Sequence, residues 1–207
     1  GDDALREAMR RRAYAASRAM TWPRTAERYL ATFEAVRAEH AGRQQARRRH
    51  ALAAALPAVR LGHLGAMCDD TGLLQHAIHT VPDRNHGYCI DDNARALLLA
   101  CMLTDAGETA LPEALPPRFA GFLQHAFNPA TGRFRNFMGF NRSWLEEQGS
   151  DDSHGRALWA LGVCAARTAD PPGRAWAARL FRAGLPVVAG FLSPRAWGFT
   201  LLGLAEY

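Results

Sequence analysis

The sequence predicts an all-α fold: an incomplete ring of helical hairpins with a short β-hairpin laid over its mouth. Two observations carry this expectation. A seven-residue phrase occurs twice, as Asp91-Asp92-Asn93-Ala94-Arg95-Ala96-Leu97 and again as Asp152-Ser153-His154-Gly155-Arg156-Ala157-Leu158. Each copy starts with a carboxylate, carries an arginine four residues on, and runs into an apolar helix. The second observation is an alternation of helix types. Segments 94–103, 157–166 and 198–205 are apolar nearly all round, as buried helices are, whereas the segments between them carry one apolar stripe. Inner helices lining a barrel and outer helices wrapping it would give this pattern.

Taken in order, residues 3–18 read as an amphipathic helix with acids first and arginines after. Thr21-Trp22-Pro23 then marks a new helix start. The helix expected over 24–40 places Ala26, Tyr29, Leu30 and Phe33 at helical spacing. Residues 42–50 read as a basic linker or a solvated helix extension. The inner helices are expected to start near Asn93, Ser153 and Ala196, and the outer ones to cover 118–127 and 174–185. Phe119, Phe122, Leu123, Ala126 and Phe127 form the stripe of the first outer helix. Asn128-Pro129 and Thr131-Gly132 are turn signals, and the alternation after them suggests the short hairpin. A full ring of six hairpins needs twelve helices and about five are legible, so the chain reads as a fragment or one that ends abruptly.

Composition bounds the function. The chain has 207 residues with 48% hydrophobic and 22% charged content, as in a soluble globular protein. Every one of its 25 basic residues is arginine, which looks like the coding bias of a GC-rich bacterium. Residues 1–50 hold 12 arginines against 6 acids, and residues 51–207 hold 13 against 14, so the basic character belongs to the N-terminal arm. That arm lacks interleaved aromatics in its 43–50 run, and no nucleic-acid partner is expected. The longest apolar stretch, 96–103, is too short for a membrane span, and no signal-peptide pattern opens the chain. The expected location is cytoplasmic. The four cysteines include no C-x-x-C pair, and Cys101 and Cys164 read as small core hydrophobes. His76, His79, Cys68 and Cys89 have no established zinc spacing, so neither metal nor cofactor is expected.

The phrases His86-Gly87-Tyr88-Cys89-Ile90-Asp91-Asp92-Asn93-Ala94-Arg95-Ala96 and Gly149-Ser150-Asp151-Asp152-Ser153-His154-Gly155-Arg156-Ala157-Leu158-Trp159 resemble the six-hairpin-glycosidase-like (α/α)6-toroid of certain bacterial proteins. Those proteins carry a family 4, GT-B type glycosyltransferase upstream. Tyr14, Trp22-Pro23, Tyr29-Leu30 and Phe33 are similar to the last helices of such a transferase. The resemblance implies two parts: transferase-like helices with a basic linker at 1–50, and a partial toroid at 51–207. It implies an oligosaccharide or glycan as ligand and an upstream glycosyltransferase domain as partner. The parent protein would be an enzyme, while this stretch alone would lack transferase activity.

Glycoside hydrolysis needs two carboxyl groups flanking the scissile bond, about 6.5–9.5 Å apart in inverting enzymes. Adjacent packed helices lie about 8–10 Å apart, which permits that spacing. The candidate carboxyls are Asp91 and Asp92 at one helix mouth, with Asp151, Asp152, Glu146 and Glu147 near the other. Asp92 and Asp152 are equally natural helix caps, and Asp91 with Arg95 and Asp152 with Arg156 are i, i+4 pairs. Tyr88, Trp144 and Phe137 could offer a face to a sugar ring, or pack over the barrel rim. His86, His154, Arg95 and Arg156 complete the substrate-binding candidates. The expectation is one shared cleft holding Asp91, Asp151, His154 and Arg156, with Tyr88 and Trp144 on its rim. Two function classes stand: a carbohydrate-active toroid, or a noncatalytic glycan-binding or scaffolding module of a glycosyltransferase. A buried carboxylate pair facing an open cleft would favour the first, and a cleft with aromatics but every acid tied to arginine the second.

Overall fold

The computed structural model describes residues 2–18, 20–51, 59–105, 107 and 111–207, with side chains of 38–51 outside the described set. The arginines of the 43–49 run therefore lie outside it. The chain divides into two units, Gly1–Ala58 and Val59–Tyr207.

The first unit is helical. Helix α1 (Asp3–Ser17) is capped by Asp2, whose Oδ1 accepts from the Ala4 and Leu5 amides at 3.1 and 3.2 Å. This satisfies two of the donors that a helix start leaves open. Helix α2 (Trp22–Ala51) opens at the expected Thr-Trp-Pro signal and continues through the segment read as a linker or helix extension. No side chain of α1 is buried.

The second unit is mostly helical with a small antiparallel sheet. A short helix, α3 (Gly62–Ala66), leads into the hairpin of β1 (Leu74–Ile78) and β2 (Val81–Cys89). β2 runs directly into helix α4 (Ile90–Asp105). Helix α5 (Leu115–Ala126) follows, then the two-residue strands β3 (Phe127–Asn128), β4 (Arg133–Phe134) and β5 (Phe137–Met138). Helices α6 (Asp151–Arg167), α7 (Pro171–Gly184) and α8 (Pro194–Glu206) complete the chain.

The helix starts follow from local chemistry. Proline occupies the first turn of α5, α7 and α8, where its missing N–H costs nothing. Asp170 accepts from Gly173 N at 2.7 Å to cap α7, and Ser193 accepts from Ala196 N at 3.3 Å to cap α8. Ser150, not Asp152, caps α6: its Oγ accepts from Ser153 N at 3.1 Å. Asp92 is not a cap either, because α4 begins two residues before it and the Ile90 amide donates to Asn136 O at 2.9 Å.

Three features stand out against the expectation, two of them departures from it. The segment 74–89 forms a two-stranded hairpin that joins β5 to make a three-stranded sheet ordered β1-β2-β5. A register shift between Leu74 and His76 breaks the alternation that would have revealed β1 in the sequence. The expected hairpin after α5 is present as the β3–β4 pair, closed by Gly132 at φ +68°. Third, α8 is not buried all round: Ala196, Thr200 and Gly203 are buried, whereas Leu201, Leu202 and Leu204 are exposed. Only one of its faces packs within this unit.

The core lies where α4 packs on α6, α6 on α8, α5 on α4 and α7 on α6. Its largest fully buried side chains include Tyr88, Phe119, Leu123, Phe134, Leu158, Leu161 and Phe181. The α6–α8 contact is made by glycine. A Cβ on Gly155 would sit 2.6 Å from Ala196 O, and one on Gly203 would sit 2.7 Å from Leu158 O. Gly162 faces Gly203 more closely still. Backbone against backbone at this range admits no side chain.

Candidate functional site

The N-terminal ends of α4 and α6 meet in a cleft of about 380 Å³. Strand β1 contributes Gln75 and His76, β2 contributes Cys89, and the first turn of α4 contributes Asp91 and Asp92. Asn136 and Phe137 close the opposite wall, and Ser150 and Ser153 come from the start of α6. Asp91 and Asp92 of the first twin phrase and Ser153 of the second thus line one cleft.

The carboxylates there are not free. Asp91 pairs through one oxygen with Arg95 and through the other with Arg156, so it bridges α4 to α6. Asp92 binds Arg95 at 3.0 Å and accepts from Cys89 Sγ at 3.1 Å. Burial and these two aspartates push the Cys89 thiol up to about 12.

Asp151 and Asp152 turn away from the cleft. Asp151 accepts from Arg133 at 2.9 Å and from Leu192 N at 3.2 Å. Asp152 accepts from Ser193 Oγ at 2.6 Å and Arg195 Nε at 2.5 Å, which staples α6 to α8. The Arg195 guanidinium and the Ser193 hydroxyl hold its carboxyl below the usual carboxylate range. Two of these arginines are also stacked: the Arg156 guanidinium carbon lies 4.1 Å from the Phe199 ring centre, and that of Arg133 lies 4.5 Å from Phe191.

Of the loop acids, Glu147 pairs with Arg135 at 2.8 Å and accepts from Asn128 Nδ2 at 3.1 Å. Glu146 Oε1 accepts from the Asn136 and Phe137 amides at 2.7 and 2.9 Å. Both acids serve to fold the loop before α6.

The expected shared cleft is corrected at four positions. His154 is fully buried between Phe134 and Phe191. Its Nδ1 accepts from Phe134 N at 3.3 Å, and its Nε2 donates to Gly184 O at 2.8 Å. Both ring nitrogens are spent, so none remains for a ligand. Burial drives its pKa down to about 4, so the ring is neutral. Tyr88 is also fully buried, donating from its hydroxyl to Asp69 Oδ2 at 2.5 Å. Burial and that carboxylate raise its pKa to about 12. Asp151 is committed to Arg133, as described above. Trp144 packs on Phe122 and donates to His125 Nε2 at 3.2 Å, away from the cleft lining. His86 is exposed and meets the cleft residue His76 edge to face, with ring centres 4.5 Å apart.

Sequence reasoning missed Gln75, Asn136 and Ser150 as cleft residues, and Arg133 and Arg195 as partners of the acids. Asn136 is the most informative of these. It is buried, and its side-chain Oδ1 has no hydrogen-bond partner. A buried acceptor without a partner costs about 1–3 kcal/mol unless something supplies a proton donor. Among the described residues no group of three or more His, Cys, Asp or Glu gathers to hold a metal ion. No helix among them is long and apolar enough to cross a membrane.

Comparison of the chain with protein-family models, curated proteins and solved structures finds no match.

Proposed function

We propose that residues 59–207 are an arc of an (α/α)6-toroid that binds an oligosaccharide at the α4–α6 cleft without cleaving it. The observation that carries this reading is the pairing of every aspartate at the two helix mouths with an arginine. Two-carboxylate glycosidase chemistry needs one acid free to give a proton and another free to direct a water or attack the sugar. Asp91, Asp92, Asp151 and Asp152 instead each hold a guanidinium group through at least one oxygen.

The cleft suits a polyhydroxylated ligand. Gln75 and His76 bring polar side chains to its wall, and the buried Asn136 Oδ1 beside them lacks a partner. Phe137, partly exposed, offers an apolar face. The packing of α4 on α6 and α6 on α8, with α5 and α7 outside, supports the inner-and-outer arrangement of a toroid. The transferase-like character of the N-terminal helices makes a glycosyltransferase domain the proposed partner in the same parent chain.

The test is titration calorimetry of the chain against a panel of neutral and acidic oligosaccharides, alongside a reducing-end assay on the same panel. Binding without release of reducing ends is expected, and Phe137→Ala should weaken binding about tenfold, or roughly 1.4 kcal/mol. Release of reducing ends that Asp91→Asn abolishes would replace this reading with a catalytic one. An absence of binding across the panel would remove it.

A further inference from the structure

Helices α4 and α6 meet a second time, toward their C-terminal ends and far from the acidic cleft. There Cys101 of α4 and Cys164 of α6 lie with their sulfurs 3.1 Å apart, inside the contact distance of two unbonded sulfur atoms. Both are free thiols and both are buried. They are not sealed in, because both lie on the wall of a cavity of about 640 Å³ between α4, α5, α6 and α7. The cavity is lined largely by carbon, from Leu97, Pro116, Pro117 and Trp176 among others. Arg167 and Thr168 also line it, and Thr168 Oγ1 lies 4.0 Å from Cys101 Sγ. Core packing explains one small apolar side chain at each position; it does not explain two thiols aimed at each other beside an open cavity.

We propose that Cys101 and Cys164 form a dithiol–disulfide site oxidised by a hydroperoxide that enters through this cavity. The Cys101 thiolate attacks the terminal peroxide oxygen and the O–O bond breaks. With hydrogen peroxide, the departing oxygen takes a proton and leaves as water, and Cys101 becomes a sulfenic acid. Cys164 sulfur then attacks Cys101 sulfur, the S–O bond breaks, and the hydroxyl leaves as a second water with the proton of Cys164. Two thiols have lost two electrons and the peroxide has gained them.

The order of attack follows from the local bonds. The contacts of Cys101 Sγ with Cys164 Sγ and Thr168 Oγ1 hold the Cys101 thiol below its usual range, while the same sulfur contact and burial push Cys164 up. The thiolate is the reactive form. Cys68 and Cys89 are pushed up to about 11 and about 12, chiefly by burial, and so serve as internal controls. The new bond would fasten α4 to α6, the two helices whose opposite ends form the cleft. The inference does not depend on what that cleft binds.

The experiment treats the whole chain with hydrogen peroxide, alkylates the remaining thiols, and maps peptides without reduction. The expected result is loss of two of the four alkylatable thiols, a peptide linking Cys101 to Cys164, and full recovery with dithiothreitol. Cys164→Ser should stop at a sulfenic acid on Cys101 that dimedone traps. Should that variant fail to fold, the wild-type chain gives a second measure: phenylarsine oxide, which clasps paired thiols, should bind once per chain and protect Cys101 and Cys164 from alkylation. Retention of all four thiols, a link involving Cys68 or Cys89, or irreversible oxidation of Cys101 without a link would each overturn the proposal.

Discussion

His154 is the third residue of the second twin phrase, beside its glycine, a position that reads as a site residue, yet its chemistry is that of a core strut. The folded ring is neutral with a pKa of about 4, against 6.5 for the free side chain. The unfolded chain therefore binds a proton more readily than the folded one. Its stabilising effect is complete above about pH 6.5 and is lost as pH falls from there toward 4, a difference of about 3 kcal/mol. His154→Leu should flatten the melting temperature over that window. At neutral pH the same variant should lose about 2 kcal/mol, because the Phe134 amide and the Gly184 carbonyl are left unpaired. A pH series of thermal melts on both chains measures this. Asp91 belongs to the same scale. Its pairing with Arg156, whose side chain is 17% exposed, means that Asp91→Asn strips a half-buried guanidinium of its charge partner. The expected cost is about 2 kcal/mol in urea unfolding, larger than that of Asp92→Asn, whose arginine partner is 51% exposed. Equal costs would contradict the bridging role.

Among the elements, the helices of the second unit were legible in the sequence because their signals are local: proline in the first turn, serine or aspartate before it, and apolar residues at helical period. The observed starts of α4, α6 and α8 precede the expected Asn93, Ser153 and Ala196 by two or three residues, because the polar first turns carry no apolar signal. Ser150 went unread as a cap because two aspartates follow it, either of which could have served. The β1–β2 hairpin was illegible for a different reason: its strand residues include few β-branched side chains, and the register shift hides the alternation. The twin phrases correctly placed two helix mouths side by side. They could not show that arginines from outside each phrase, Arg133 and Arg195, would claim the acids. The closeness of α6 and α8 gives a sharp test at this scale. Gly162→Ala should force the helices apart and cost 2 kcal/mol or more on the order-of-magnitude scale of overpacked cores. Gly198→Ala lies on α8 with nothing within 4 Å of the new methyl, and should stabilise by up to about 1 kcal/mol through helix propensity alone. Paired chemical denaturation curves distinguish the two.

At the scale of the whole molecule, most of the buried apolar side chains among the described residues fall in one continuous cluster running from Met67 to Phe181, within the second unit. In the first unit α1 buries nothing, and Tyr14, Tyr29, Leu30 and Phe33 are exposed. Free energy of folding comes mainly from apolar burial set against chain entropy, so the part of the chain that holds the core should hold the cooperative transition. A peptide of residues 59–207 should therefore melt as a single cooperative unit, within a few degrees of the full chain, followed by circular dichroism at 222 nm. Residues 1–58 alone should lose helicity gradually on heating, as helices without a packed face do. A non-cooperative melt of the 59–207 peptide would mean that its stability draws on the N-terminal helices, despite the core lying wholly on its own side of the division.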